Sequence, residues 1–475
     1  MEDKPQLSEA KRKLLEQMRR ANASSPSSQV SDYGPQARDN PIPMAPAQEQ
    51  VWRLDQSFGK PTSLHNESIT IHRHGSCDHA ILERCFHEIV RRHEIWRTSY
   101  KQGDGKPIQI VHSNLDFRLG FSDLRTLHEG ERETRALELA TEDARMPFDL
   151  TTGPLFRARL VTLNDDEHKL YVTAHQSIVD GITVFDIFPR ELTTLYDSFT
   201  AGASTTLAEL PAQFAEFASW ERRKLEGATR ETQLSYWQKQ LAGDVPALRW
   251  PNGGNRPERP TYRGAMYPFE FPRELASSLG EIAQREGATL FMALLGAFYV
   301  LLHRYTGQHY IIVGTLSPCG RKHSAFQQCM GYFLNPVPLR ANLSGTSSFR
   351  PLLQQMREVT LGAISNDDVT LEMIAERLQV SRDLSRHYFF DVALSLAPDV
   401  APLPPGWSMT YMDVESGGAR FDLYIEFSDR PDALLGRAQY NPDLFTPERM
   451  SRTIEDFRRL LEEIVACPDS RILGD

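Results

Sequence analysis

The sequence predicts an α/β protein built as two lobes. Three observations carry this: the length, the alternation of helical and strand-like hydrophobic periods, and a Pro/Gly/Asn cluster near the middle. At 475 residues the chain exceeds what one ordinary core organises and fits two lobes of roughly 200 residues each. Hydrophobic residues make up 40% and charged residues 24%, the balance of a globular protein. Leu82, Phe86, Ile89 and Val90 recur at helical spacing, and that run ends at Arg91 and Arg92. Residues 155–163 and 169–174 read as two strands joined by a turn at Asn164, Asp165 and Asp166. The cluster PNGGNRPERP at 251–260 is expected to cross between the lobes, and APDVAPLPPGW at 397–407 to form a surface loop. No repeat relates the halves.

The expected organisation is a helix and linker over 1–40, a first lobe over 41–220 and a second over 221–475. Residues 7–21 place Leu7, Ala10, Leu14, Leu15 and Met18 on one helical face, with five basic and two acidic residues around it. Ser, Pro, Gly and Asn then dominate up to Asn40, the composition of a linker. The net charge of -10 argues against nucleic acid or an anionic membrane as the main partner. The first 21 residues lack the apolar stretch of a signal peptide. The longest apolar run, 288–302, is 15 residues, short of the roughly 20 that a membrane span needs, and reads as a buried helix. Five scattered cysteines without a Cys-x-x-Cys pair suit a reducing cytoplasm.

Chemistry concentrates in AHQSIVDG at 174–181, where a strand runs through a short loop into a helical pattern carrying Phe185, Ile187, Leu192 and Leu195. Such loops expose reactive groups, which makes His175, Gln176, Asp180 and Gly181 the candidate site. A His-x4-Asp-Gly loop taken alone also reads as a capped turn. His72, His74, Cys77 and His79 suggest metal ligands but lack zinc spacing, and Ser76 or Asp78 reads as a helix cap. No metal is expected. His93 and Glu94 sit among arginines and read as a buried ion pair. Residues 314–321 form a turn after a strand at 311–313 and match neither a nucleophile elbow nor a phosphate loop.

Around this loop the chain resembles the condensation-domain family of nonribosomal peptide synthetases, from Pro41 to about Ile472. APAQEQVW at 45–52 looks like the family's S-x-A-Q-x-R-L-W, and RHEIWRTSY at 92–100 matches RHExLRTxF. HQSIVDG at 175–181 falls on HHxxxDG, and FAEFASW at 214–220 on Y-x-D-F-A-x-W. MGYFLNPVPLR at 330–340 is similar to IGxFVNTxxLR, and RDLSRH at 382–387 to RDxSRNPL. The resemblance implies a pseudo-dimer of two chloramphenicol acetyltransferase-like lobes in a V with a central tunnel. It implies two partners, an upstream donor carrier protein and a downstream acceptor carrier with its adenylation domain. Each carrier brings phosphopantetheine, so the domain itself binds no cofactor. By the same resemblance His175 and Asp180 hold the loop, Gly181 keeps its turn, and Arg321 pairs with Asp180. Arg321 is also expected on the substrate-binding side, as is Asn335, which stands one residue into a strand and reads equally as a satisfied strand-end amide.

The sequence departs from the family at Gln176, where the second His acts as proton acceptor or orienting group. A primary amide has no pKa near 7 and cannot serve as a general base. Losing that help costs roughly 10²–10⁴ in rate, about 3–5 kcal/mol. Positioning two tethered reactants supplies roughly 7–11 kcal/mol, and an aminoacyl ammonium of pKa about 8 is partly neutral at working pH. Three readings of Gln176 stay open: a native variant working by positioning, a domain that only binds, and an introduced His-to-Gln replacement that silences the site.

The expected activity is therefore amide formation between carrier-bound acyl groups. The alternatives are a non-catalytic recruitment or gating module and a free-standing acyltransferase for a soluble amine or alcohol. No adenylation, carrier or thioesterase motif accompanies the domain, so excision from a larger synthetase is expected. Residues 1–38 resemble segments that follow an upstream carrier, and are expected to serve docking while adding nothing to fold or chemistry.

Overall fold

The computed structural model describes residues 34, 37–38, 40–204, 207–243, 247–250, 256–381, 383, 385–410 and 413–472. The expected helix at 7–21, most of the linker, residues 251–255 and two positions of the 382–387 motif lie outside the described residues.

Two mixed sheets carry the halves. The first has five strands, in the order Trp407–Thr410, Asn66–His74, Glu167–His175, Phe156–Asn164 and Gly120–Asp123. The second has six, in the order Asn335–Asn342, Tyr310–Ser317, Val392–Leu396, Leu423–Asp429, Ala433–Tyr440 and Ala265–Pro272. The hairpin expected around Asn164 to Asp166 forms with Phe156 opposite Ala174. The helix His79–Arg92 buries Leu82, Phe86, Ile89 and Val90 on the first sheet, and Asp78 accepts the Ile81 N–H as its cap at 3.0 Å. The apolar run becomes the helix Leu290–Thr306, buried from Met292 through Leu302 in the second core. No single described helix is long and apolar enough to cross a membrane.

Three expectations change. The strand starting at Tyr310 does not stop at Val313 but runs to Ser317, pairing with Asn335–Asn342 throughout. Gly314 sits mid-strand because the ring of Phe390 lies where a Cβ would project. The stretch 397–407 is not simply a surface loop: it carries chain across to the first half, where Trp407–Thr410 pairs antiparallel with Asn66–His74. Ala397 and Trp407 are buried in the first core. The chain crosses the division at residue 220 a second time, because Ala325, Phe326, Cys329, Met330, Tyr332 and Phe333 also pack into the first core. Finally, the body begins before Pro41. Arg38 makes ion pairs of 2.5 Å with Glu94 and 2.8 Å with Glu216.

The seam between the halves holds a buried polar network. Lys224 pairs with Asp368 at 2.7 Å and Lys322 with Asp367 at 2.5 Å. Gln233 donates to the Asp368 carboxylate at 2.6 Å. Glu221 lies beside this network with its Oε2 buried and lacking a hydrogen-bond partner among the described residues. Burial, aided by the charge of Asp368, pushes its carboxyl up to about 8.

Two outcomes follow from this packing. The folded state holds a proton on Glu221 that the unfolded chain releases between about 4.5 and about 8, so this group makes stability fall as pH rises through that window. Glu221→Gln removes the effect: thermal melts should match wild type near pH 5, with the variant gaining an advantage that grows toward pH 9. A constant difference would place no titrating proton there. Removing residues 1–38 should lower the melting temperature more than removing 1–36, because only the longer deletion takes Arg38 and leaves Glu94 and Glu216 without its charge.

Candidate active site

The loop after the strand Glu167–His175 is fixed by hydrogen bonds from segments far apart in sequence. His175 is 1% exposed. Its Nδ1 accepts from the Ser177 N–H at 3.3 Å and lies 2.8 Å from the Ser177 hydroxyl. That leaves the proton on Nε2, which donates to Asp55 Oδ2 at 2.9 Å. The Ser177 carbonyl accepts from Gln48 Nε2 at 2.9 Å and from the Tyr100 hydroxyl at 3.2 Å. Gln48 and Tyr100 belong to the motifs at 45–52 and 92–100, so segments distant in sequence converge on one backbone carbonyl.

Asp180 anchors the far end. Its carboxylate accepts the Thr183 N–H and hydroxyl, both at 2.8 Å, capping the helical segment that follows. Arg321 grips the same carboxylate through Nε at 2.9 Å and Nη2 at 2.7 Å, a two-pronged pair. The remaining Arg321 nitrogen, Nη1, donates to the Phe326 carbonyl at 3.0 Å and the Cys329 carbonyl at 2.6 Å. The guanidinium carbon lies 4.0 Å from the centre of the Phe333 ring. Thr183 also meets the backbone of Gly331, accepting its N–H at 3.2 Å. Gly181 serves by its size: a Cβ there would stand 3.1 Å from Cδ of Pro398. The turn does not need a left-handed glycine at this point, which revises the role expected for it.

Asp55, on the buried face of the helix Pro46–Ser57 with Gln48, Val51 and Trp52, bridges two imidazoles. Oδ2 accepts the His175 Nε2–H, and Oδ1 lies 2.9 Å from His65 Nδ1. Burial alone would raise this carboxyl, but the two rings outweigh it and hold it well below the usual range. His65 is 2% exposed, and burial lowers its pKa despite Asp55. The donor atoms of Asp55, His65 and His175 lie within 4.8 Å of one another. Both ring contacts are hydrogen bonds to a carboxylate, which already explains the grouping.

A cavity of about 580 Å³ opens beside this cluster, with His65, Gln176, Tyr332, Arg386, Phe390 and Arg420 in its wall. Its size suits a substrate site. A second space of about 210 Å³ has Asp55 and His175 in its wall, so the cluster stands between the two. Gln176 is the one residue of the 175–181 loop in the wall of the larger cavity. Its Oε1 is buried and has no hydrogen-bond partner among the described residues.

Two residues expected on the substrate side are elsewhere. Arg321 is spent on Asp180, Thr183 and backbone carbonyls and does not reach the cavity wall. Asn335 is 1% exposed and donates to the Asp367 and Val369 carbonyls at 2.7 and 2.8 Å. Tyr332 and Pro336, its neighbours, line the cavity instead. The suspected ligands also separate: His72 Nε2 lies 2.6 Å from Thr410 Oγ1, and His79 Nε2 lies 3.0 Å from the Leu119 carbonyl. Asp55 and His65 were not expected. A carboxylate three residues after Trp52, on the helix's apolar face, was the available signal.

The family described as the condensation domain matches residues 39–473. A linear gramicidin synthase of Brevibacillus parabrevis is 37% identical over 443 residues, which is 92% of this chain and 9% of that protein. The chain thus spans less than a tenth of that relative's length. The X-domain from teicoplanin biosynthesis superposes with a TM-score of 0.79 at 26% identity, covering 93% of this chain and 98% of that one. The first condensation domain of the calcium-dependent antibiotic synthetase, at 20% identity, shares the fold with a TM-score of 0.80 over 92% and 98% of the two chains. With its paired sheets, its HQSIVDG loop and this match along nearly its whole length, the chain belongs to the condensation domains of nonribosomal peptide synthetases, with their chloramphenicol acetyltransferase-like fold.

Proposed function

We propose that this domain forms an amide bond between a donor acyl thioester and an acceptor aminoacyl thioester. Both arrive on phosphopantetheine arms, from an upstream carrier protein and from a downstream carrier served by an adenylation domain. The observation that carries the reading is the loop itself: Asp180 locked by Arg321, His175 locked by Asp55, and Gln176 facing a cavity with an oxygen that has no partner among the described residues. In this reading His175, Asp180 and Gly181 are positioning residues. Gln176 orients the attacking amine, because its amide oxygen accepts an N–H but takes no proton at neutral pH. Holding two tethered reactants at attack distance provides the larger part of the acceleration.

A second reading has support in the same residue. Gln176 is no base, and the X-domain that this chain resembles has been described in complex with OxyB. A domain of this shape that recruits a partner enzyme instead of condensing acyl groups would also need the cavity loop held in place.

A single-turnover assay with loaded donor and acceptor carriers, read by intact-protein mass, separates the two. Amide on the acceptor carrier ends the recruitment reading, and none with any acceptor ends the synthase. Asp180→Ala should lower both melting temperature and turnover, since a guanidinium left alone in a buried site costs roughly 3–5 kcal/mol. An unchanged melt with turnover abolished would make Asp180 a chemical group instead of an anchor. Gln176→His should raise the rate or leave it unchanged, and a tenfold loss would show an amide adapted to its place.

A further inference from the structure

We infer that His65, held by Asp55, is the proton-accepting imidazole of this site, replacing the one that the loop lacks. The inference rests on the amide-forming reading above and adds to it a residue outside every motif of the sequence.

His65 immediately precedes the strand Asn66–His74, whose first residue lies opposite His175. The Gln176 N–H continues that pairing by donating to the His65 carbonyl at 2.7 Å. Directly opposed residues on neighbouring strands bring their side chains within about 5 Å at Cβ. An imidazole on residue 65 therefore enters the cavity beside residue 176, and both residues are in its wall. The orientation of the ring is also set. Asp55 is acceptor-only when ionised, so the 2.9 Å contact fixes the proton on Nδ1. Nε2 then carries a lone pair, and it has no hydrogen-bond partner among the described residues. An imidazole whose outer proton is held by a carboxylate and whose other nitrogen is bare is arranged as a general base. The groups facing it are Asp55 from the helix Pro46–Ser57, His175 from the strand Glu167–His175, and Arg420 from the segment before Leu423–Asp429. Burial keeps the ring neutral at working pH, in the form able to accept.

The step balances without another reagent. The acceptor amine donates its lone pair to the thioester carbonyl carbon, forming the C–N bond, and its N–H proton passes to His65 Nε2. The tetrahedral centre collapses, the C–S bond breaks with its electrons on sulfur, and the imidazolium returns the proton to the departing thiolate. Gln176 holds the amine while this occurs.

The test is the pH dependence of single-turnover condensation in the wild-type chain and in His65→Asn, between about pH 4.5 and 8.5. An asparagine amide can keep the hydrogen bond to Asp55 while removing Nε2. In wild type two groups must lose protons, the acceptor ammonium of pKa about 8 and the imidazole below its usual 6.5. The logarithm of the rate should therefore rise with a slope of one between the two ionisations and steepen toward two below that of the imidazole. His65→Asn should melt like wild type, react at least a hundredfold more slowly at pH 7, and keep a slope of one all the way to the acid end. Adding Gln176→His to that variant should restore rate and acid limb together, by returning an imidazole to the same cavity. Where His65→Asn does not fold, His65→Gln is read in its place. A folded variant that steepens at the acid end as wild type does overturns the role of His65. So does a variant within threefold of wild type. Wild-type chain that yields no amide overturns the amide-forming reading as well, so the two failures are distinguishable.

Discussion

The grip of Arg321 on Asp180 is the contact on which the rest of the site depends. It joins a loop of the first half to a segment of the second through two hydrogen bonds at 2.7 and 2.9 Å, with both side chains shielded from water. A charge pair in such a place stabilises only when every remaining donor is satisfied. Here Arg321 Nη1 finds backbone carbonyls, and Thr183 donates its N–H and hydroxyl to the same carboxylate. The pair therefore does more than hold Asp180. It sets where residues 326–333 lie, and these complete the first core around Phe214 and Phe217.

Asp55 performs the matching task at the start of the loop. One carboxylate serves two imidazoles, and each use constrains the other, because a single planar group must meet both rings at 2.9 Å. The loop is thereby stretched between two acid anchors, one on a helix of its own half and one clamped from the opposite half. Between them Gln176 is the residue in the wall of the larger cavity, so the rigidity on either side is what gives a lone amide a defined position.

Much of this was legible in the sequence, and the limits have physical causes. The hairpin around Asn164, the helix stripe of Leu82 to Val90 and the buried apolar helix follow local periods, and local periods survive folding. The 175–181 loop was found because its residues are contiguous. Asp55 and His65 escaped because they approach from separate elements, each unremarkable alone: the pairing of Asn66 with His175 brings His65 to the loop, and the packing of the helix Pro46–Ser57 brings Asp55. Arg321 was located but given the substrate as a partner as well as Asp180, whereas its five donors are already committed around Asp180 and neighbouring backbone. Of the two readings open for Asn335, the satisfied strand-end amide is the one that holds, because the side chain turns toward the 367–369 backbone.

The strand Trp407–Thr410 has a consequence for how such chains can be recombined. It is made by the second half and completes the edge of the first half's sheet, and the segment carrying Phe326 and Phe333 is lent in the same direction. A hybrid spliced at the midpoint between two relatives would thus join a first sheet from one parent to an edge strand and core plug from the other. Exchanging whole halves therefore always carries that mismatch. The compatible unit of exchange is a half together with the strand and segment it borrows, which no single cut in the chain delivers.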